Sequence, residues 1–96
     1  MAQISVRYFG MLRDIVGKRN ETVALPDSSN AVDVINYLSK SHGSKFKEFV
    51  FDSDGKIREG ITFAVDGSSV QQSSLSKIKC MDISEFVILP PISGGV

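Results

Sequence analysis

The stretch that most constrains this chain is EFVILPP at positions 85–91. Phe86, Val87, Ile88 and Leu89 are apolar in succession. A strand apolar on both faces predicts a central place in a sheet. Pro90 and Pro91 follow it, and neither can donate a ladder hydrogen bond, so the strand must stop sharply there. The sequence ends a few residues on with Ile92, Ser93, Gly94, Gly95 and Val96.

The upstream pattern supplies partners for that strand. Ile4, Val6 and Tyr8 alternate with Ser5, Arg7 and Phe9 at the period of a half-buried strand. Met11, Leu12, Ile15 and Val16 have helical spacing before Gly17, enough for one or two turns. ETVALPD, 21–27, reads as a second strand antiparallel to the first and closed by Pro26. The clearest helix is NAVDVINYLSKSHG, 30–43. Asn30 caps it and Asp33 suits the positive end of its dipole. Ala31, Val34, Ile35 and Leu38 form its apolar stripe, and Gly43 stops it just after His42. Beyond it, Phe46, Phe49 and Val50 predict a short turn under the sheet, and DSDG (52–55) predicts a turn between extended pieces. ITFAVDG, 61–67, predicts a strand ending in an Asp-Gly turn. The polar stretch after it reads as irregular, anchored by Val70, Leu75 and Ile78.

A hairpin, a crossover helix and a buried last strand make an α+β fold, a mixed sheet with a helix packed on one face. A β-grasp is the simplest topology with that order. The expected division is a β-grasp domain over 1–91 and a flexible tail over 92–96.

Composition narrows the function by exclusion. Ninety-six residues, 42% hydrophobic and 23% charged, allow one core of ordinary globular type. Eleven basic residues balance eleven acidic ones and are scattered, which argues against a nucleic-acid partner. No apolar run reaches membrane-spanning length and no signal-peptide pattern opens the chain, so a cytoplasmic, membrane-free protein is expected. The single Cys80 forms no internal disulfide and fits a reducing compartment. With one histidine and one cysteine, the usual tetrahedral zinc sets cannot be built without carboxylates, and no spacing suggests that. His42 reads as structural and Cys80 as an ordinary semi-buried thiol. DSDGK lacks the acidic residue that closes a calcium loop, and neither a nucleophile elbow nor a phosphate-cradling loop occurs. Neither a metal nor a bound cofactor is expected, nor an autonomous enzyme.

The chemistry therefore falls to the tail. The prolines stiffen its exit, and residues 92–95 reach roughly 13 Å when extended. Glycines without Cβ can thread a narrow channel and lie close to a partner's backbone. A carboxylate delivered this way can be activated by a second protein as an acyl-adenylate, which then accepts sulfur or a lysine amine.

At this point the sequence resembles the MoaD family, the small sulfur-carrier subunits of molybdopterin synthase, within the MoaD/ThiS/ubiquitin-like group. ISVRYFGMLRDIVGKRNETVAL looks like the family's opening strand, its LR-x-x-x-G segment and its second strand. NAVDVINYL looks like its helix, FAVDG like its strand-turn, and ILPPISGG like its signature ending. The resemblance implies an E1-like enzyme that adenylates the terminal glycine with ATP. Sulfur then replaces AMP to give a thiocarboxylate, which the large subunit of molybdopterin synthase uses on a pterin precursor. By that match Gly95 carries the sulfur, and Pro90, Pro91, Gly94 and Gly95 form the threading segment. Phe9 and Leu89 match the family's apolar docking face, and Arg13 matches its partner-facing arginine. The sequence departs from the family in placing Val96 after Gly95, so sulfur carriage requires a processing protease. It departs also in Met81-Asp82 for the usual GD turn, and in two serines after Asp66-Gly67 where the family is more apolar. The alternative reading is a ubiquitin-like modifier joined through Gly95 to lysines of target proteins.

Overall fold

The computed structural model describes residues 1–91. The tail assigned above to 92–96, with Gly94, Gly95 and Val96, lies outside the described residues. β1 (Ala2–Tyr8) alternates as its sequence requires: Ala2, Ile4, Val6 and Tyr8 are buried and the residues between them are exposed. α1 (Met11–Val16) buries Leu12 and ends at Gly17, whose φ of 82° is left-handed and whose N–H donates to the Arg13 carbonyl. β2 (Asn20–Leu25) returns antiparallel to β1, with Ala2 opposite Leu25 and Arg7 opposite Asn20.

α2 (Ala31–His42) begins with a reciprocal cap. The Asp33 N–H donates to Asn30 Oδ1 at 3.1 Å, and the Asn30 N–H donates to Asp33 Oδ2 at 2.9 Å. Two N–H groups that the helix itself leaves unpaired are thus satisfied. Ala31, Val34, Ile35 and Leu38 are fully buried, the stripe that the spacing predicts. The segment after Gly43 is more ordered than the short turn expected of it. α3 (Ser44–Val50) is a seven-residue helix that buries Phe46 and Val50. The DSDG segment is a turn as read: Asp52 Oδ1 accepts the N–H groups of Asp54 and Lys56, and Phe51 bridges Ile57 across it.

β3 (Thr62–Val65) and β4 (Ser68–Val70) form a hairpin. β4 corrects the expectation of irregular chain after Gly67. Asp66 and Gly67, at φ 50° and 88°, both adopt the positive φ that a two-residue hairpin turn requires. The polar strand pairs through its backbone, which hydrophobic patterning does not register. After two short 3₁₀ turns, β5 (Glu85–Leu89) enters the middle of the sheet, whose order is β2-β1-β5-β3-β4. It runs parallel to β1 and antiparallel to β3. This mixed sheet around a central last strand is the β-grasp arrangement expected.

The core lies on one face of the sheet. Ile4, Val6, Tyr8, Phe63, Phe86 and Ile88 project there and share one cluster with the buried residues of α2 and α3. Phe63 and Phe86 stack at 5.6 Å between centroids. Burial of each such side chain contributes about 1.5–3 kcal/mol, and this face holds the fold together.

Candidate functional site

The end of β5 is where the sequence places the chemistry. Phe86 and Ile88 point into the core, while Val87 and Leu89 point to the opposite face and stay half-buried. On that outer face Val87 pairs with Arg7 of β1 and Ala64 of β3, and Leu89 pairs with Thr62. Pro90 is half-buried and Pro91 is exposed. They leave the sheet between two clefts, one lined by Gly60, Thr62 and Leu89, the other by Gly10, Met11 and Phe49.

Phe9 follows β1 directly and sits half-buried between two cations. The Arg7 and Arg13 guanidinium carbons lie 5.5 and 5.9 Å from its ring centroid. Such contacts contribute about 0.5–1 kcal/mol each at exposed sites. Arg7 also lies 3.7 Å from Glu85 Oε2, a half-exposed pair that contributes little to stability but helps fix the guanidinium beside the ring. Arg13 Nε is buried and has no hydrogen-bond partner among the described residues. Of the predicted site residues, the structure brings Phe9 and Arg13 together and sets Leu89 on the same sheet face, beside Pro90 and Pro91. Met11, 58% exposed, and half-buried Phe49 border the exit too. The expected docking set omits both, because the spacing reads Met11 only as part of a short helix and Phe49 only as an anchor of a turn.

A second cluster lies away from this exit. Tyr8 donates its hydroxyl hydrogen to Glu21 Oε2, and His42 Nε2 lies 2.5 Å from the same oxygen. Lys18 Nζ is 3.8 Å from Glu21 Oε1. Burial, the hydrogen bond to Glu21 and its negative charge all push the Tyr8 phenol far above its ordinary range. At Glu21 burial pushes the carboxyl up. The hydrogen bonds from Tyr8 and His42, with the charges of His42 and Lys18, outweigh it and hold the group below its ordinary value. The network joins β1, β2 and the end of α2. Its members stand 13 and 21 residues apart, a separation with no sequence signal. Tyr8 is 1% exposed, so the phenol tethers these elements and offers nothing to a substrate.

The remaining chemical candidate, Cys80, is closed off from solvent. Cys80 is fully buried, its thiol donates to the Asn30 carbonyl at 3.2 Å, and burial, aided by the negative charge of Asp33, pushes it up. Among the described residues no three His, Cys, Asp or Glu side chains are grouped to hold a metal ion. No helix there is long and apolar enough to cross a membrane.

The described residues form a β-grasp body whose central strand ends at half-buried Pro90 and exposed Pro91. The ThiS family profile matches residues 6–95, and the chain belongs to that family. The match ends at Gly95 and leaves out Val96. The chain is 28% identical over 93 residues to the molybdopterin synthase sulfur carrier subunit of Chlamydomonas reinhardtii, covering 97% of this chain and 99% of that protein. It is 26% identical over 95 residues to the Homo sapiens protein of the same name, covering 99% and 97%. The crystal structure of H. volcanii small archaeal modifier protein 1 superimposes with a TM-score of 0.82 over 96% of this chain and 100% of that one. At 20% identity, that likeness establishes the β-grasp fold alone. The resemblance to sulfur carriers read from the sequence is therefore borne out at the level of family and fold.

Proposed function

We propose that this chain carries sulfur for molybdopterin synthesis, with Gly95 as the atom-bearing residue. The observation that carries the reading is the coincidence of two boundaries. The central strand is cut off at Pro90-Pro91, and the family match runs on from there to stop at Gly95. In the proposed cycle the Gly95 carboxylate attacks the α-phosphate of ATP on an E1-like enzyme, and pyrophosphate leaves. A hydrosulfide-level sulfur donor then attacks the acyl carbon, the acyl–phosphate bond breaks, AMP departs, and a thiocarboxylate remains. The large subunit of molybdopterin synthase consumes that sulfur. This chain contributes no cofactor to the cycle; ATP is held by the activating partner. Val96 must first be removed by a processing protease, because adenylation needs the carboxylate of Gly95 itself. These steps belong to the cytoplasm, where Cys80 stays a thiol.

The outer sheet face supports a docking role beside the tail. Phe9 and Leu89 lie on it, with Arg13 of α1 beside the Phe9 ring, and half-buried Val87 and Leu89 give the last strand apolar surface that the core does not cover. The test is pyrophosphate release from ATP by an E1-like adenylating enzyme given the chain ending at Gly95 or carrying Val96. Release only with the Gly95 end is expected. Equal release with both would contradict the trimming step, and release with neither would remove the activated-tail reading.

A further inference from the structure

Extending the two ladders that hold β5 past their last pairs gives an unplanned coincidence. Tyr8 lies opposite Ile88 in the parallel ladder, so two residues further along both strands Gly10 falls opposite Pro90. Thr62 lies opposite Leu89 in the antiparallel ladder. Two residues on along β5 and two back from β3, Gly60 therefore falls opposite Pro91. The atoms agree. A Cβ on Gly10 would stand 3.1 Å from Pro90 Cγ, and a Cβ on Gly60 would stand 3.2 Å from Pro91 Cβ.

Both glycines have positive φ, 57° at Gly10 and 92° at Gly60, so any L side chain there is strained as well as crowded. Gly10 combines its φ with a ψ of −134°, outside the left-handed helical region that other residues sometimes visit. Turn geometry alone does not explain the pairing with the prolines. Gly17, Gly43, Gly55 and Gly67 also have positive φ, yet a Cβ on any of them would meet nothing within 4 Å. At this one level of the sheet, two neighbouring backbones come close enough to the proline rings that a methyl group on either side would be crowded.

We infer that Gly10 and Gly60 are positioning residues for the C-terminal segment: each holds one of the two proline rings and together they fix the direction in which the chain leaves β5. Prolines supply a stiff exit but have no N–H with which to anchor it to a neighbouring strand. Contact with a bare backbone on each side supplies the anchor instead. The inference rests on the tail being the reactive part, and it assigns the aim of that tail to residues 80 and 31 positions upstream of Pro90 and Pro91, respectively, each two residues beyond the last pair of its flanking ladder.

The test uses the full-length fold ending at Gly95, with two readouts. The first is pyrophosphate release by the E1-like enzyme. Gly10→Ala and Gly60→Ala should each lower kcat, by up to about a hundredfold if the reactive carboxylate moves by about 1 Å. KM should stay within about twofold, because the docking face is unchanged. Pro90→Ala, which removes the ring atom facing Gly10, and Pro91→Gly, which removes the Cβ and ring facing Gly60, should lower kcat in the same sense. The decisive comparison is a double-mutant cycle: Gly60→Ala introduced into the Pro91→Gly chain should have little further effect. The second readout needs no enzyme. A nitroxide on Asp14→Cys, with buried Cys80 left unlabelled, broadens the tail amides in a distance-dependent pattern. That pattern should change in Gly60→Ala and change no further when Gly60→Ala is added to Pro91→Gly. Wild-type kcat in both glycine variants, a full kcat loss in the Pro91→Gly background, or an unaltered broadening pattern would overturn the inference. If the parent chain releases no pyrophosphate, the proposed activation fails while the nitroxide pattern still decides whether the glycines aim the tail.

Discussion

The two faces of one sheet are built from the same strands and treated in opposite ways. Inward, Ile4, Val6, Tyr8, Phe63, Phe86 and Ile88 are at most 1% exposed. Outward, Ser5, Arg7 and Thr62 meet solvent, while Ala64, Val87 and Leu89 are half-buried. The inner face is finished by folding. The outer face keeps apolar side chains that folding does not use, and they lie along the strand that leads to Pro90 and Pro91. Central position and covered faces are separate properties. β5 is central because both of its edges are paired, yet only one of its faces belongs to the core.

The sharpest way to break this comparison is to truncate one side chain on each face of the same strand. Phe86→Ala should cost about 3–5 kcal/mol in chemical denaturation, since it empties a fully buried site. The adjacent Val87→Ala should cost about 1 kcal/mol or less. Equal costs would mean that the outer face is part of the folding core after all.

The Tyr8–Glu21–His42 network is the polar counterpart of the inner face and gives a pH signature. Glu21 is held below its ordinary value of about 4.5, so the folded chain binds that proton less readily than the unfolded chain does. Its contribution is whole above the unfolded pKa and is lost as pH falls through the lower, folded one. Glu21→Gln should therefore cost about 1–3 kcal/mol at neutral pH, and the gap from wild type should close on acidification below about pH 4.5. A gap that is constant with pH would show that the charge of Glu21 is irrelevant.

Asn30→Ala should cost about 1 kcal/mol, because it removes half of the reciprocal cap on the helix covering the inner face. The smallest effect on stability is expected on the outer face. Phe9→Ser and Leu89→Ser should change the denaturation midpoint little, within about 1 kcal/mol, while weakening association with an activating enzyme or large subunit. Loss of stability without loss of binding would reverse the roles assigned to the two faces.

Much of the inner face was legible in the sequence, because it depends on local periodicity. The period-2 run of β1 and the stripe Ala31, Val34, Ile35 and Leu38 name their own buried residues. The centrality of β5 followed from its unbroken apolar run. β4 was not legible, because Ser68–Val70 is an edge strand held by backbone pairing and a two-residue turn. α3 was half-legible: Phe46, Phe49 and Val50 marked the anchors but not a complete helix. The Tyr8–Glu21–His42 contacts and the approach of Gly10 and Gly60 to the prolines arise only when distant segments are brought into register. Single-residue patterns carry no trace of them. The family-matched positions Phe9, Arg13 and Leu89 could be named from the sequence, but their common setting could not. Arg7 and Arg13 flank one aromatic ring only once β1 and α1 are in place.

On the proposed function, the body of this chain serves to present Gly95. The most direct test is intact mass spectrometry of the protein purified from its native source. The account predicts a species lacking Val96 whose mass is raised by the exchange of one carboxyl oxygen for sulfur at Gly95. A chain that retains Val96 under every condition, with no sulfur-bearing form, would contradict it. Gly-Gly remnants on lysines of other proteins would show that Gly95 is activated but serves as a modifier.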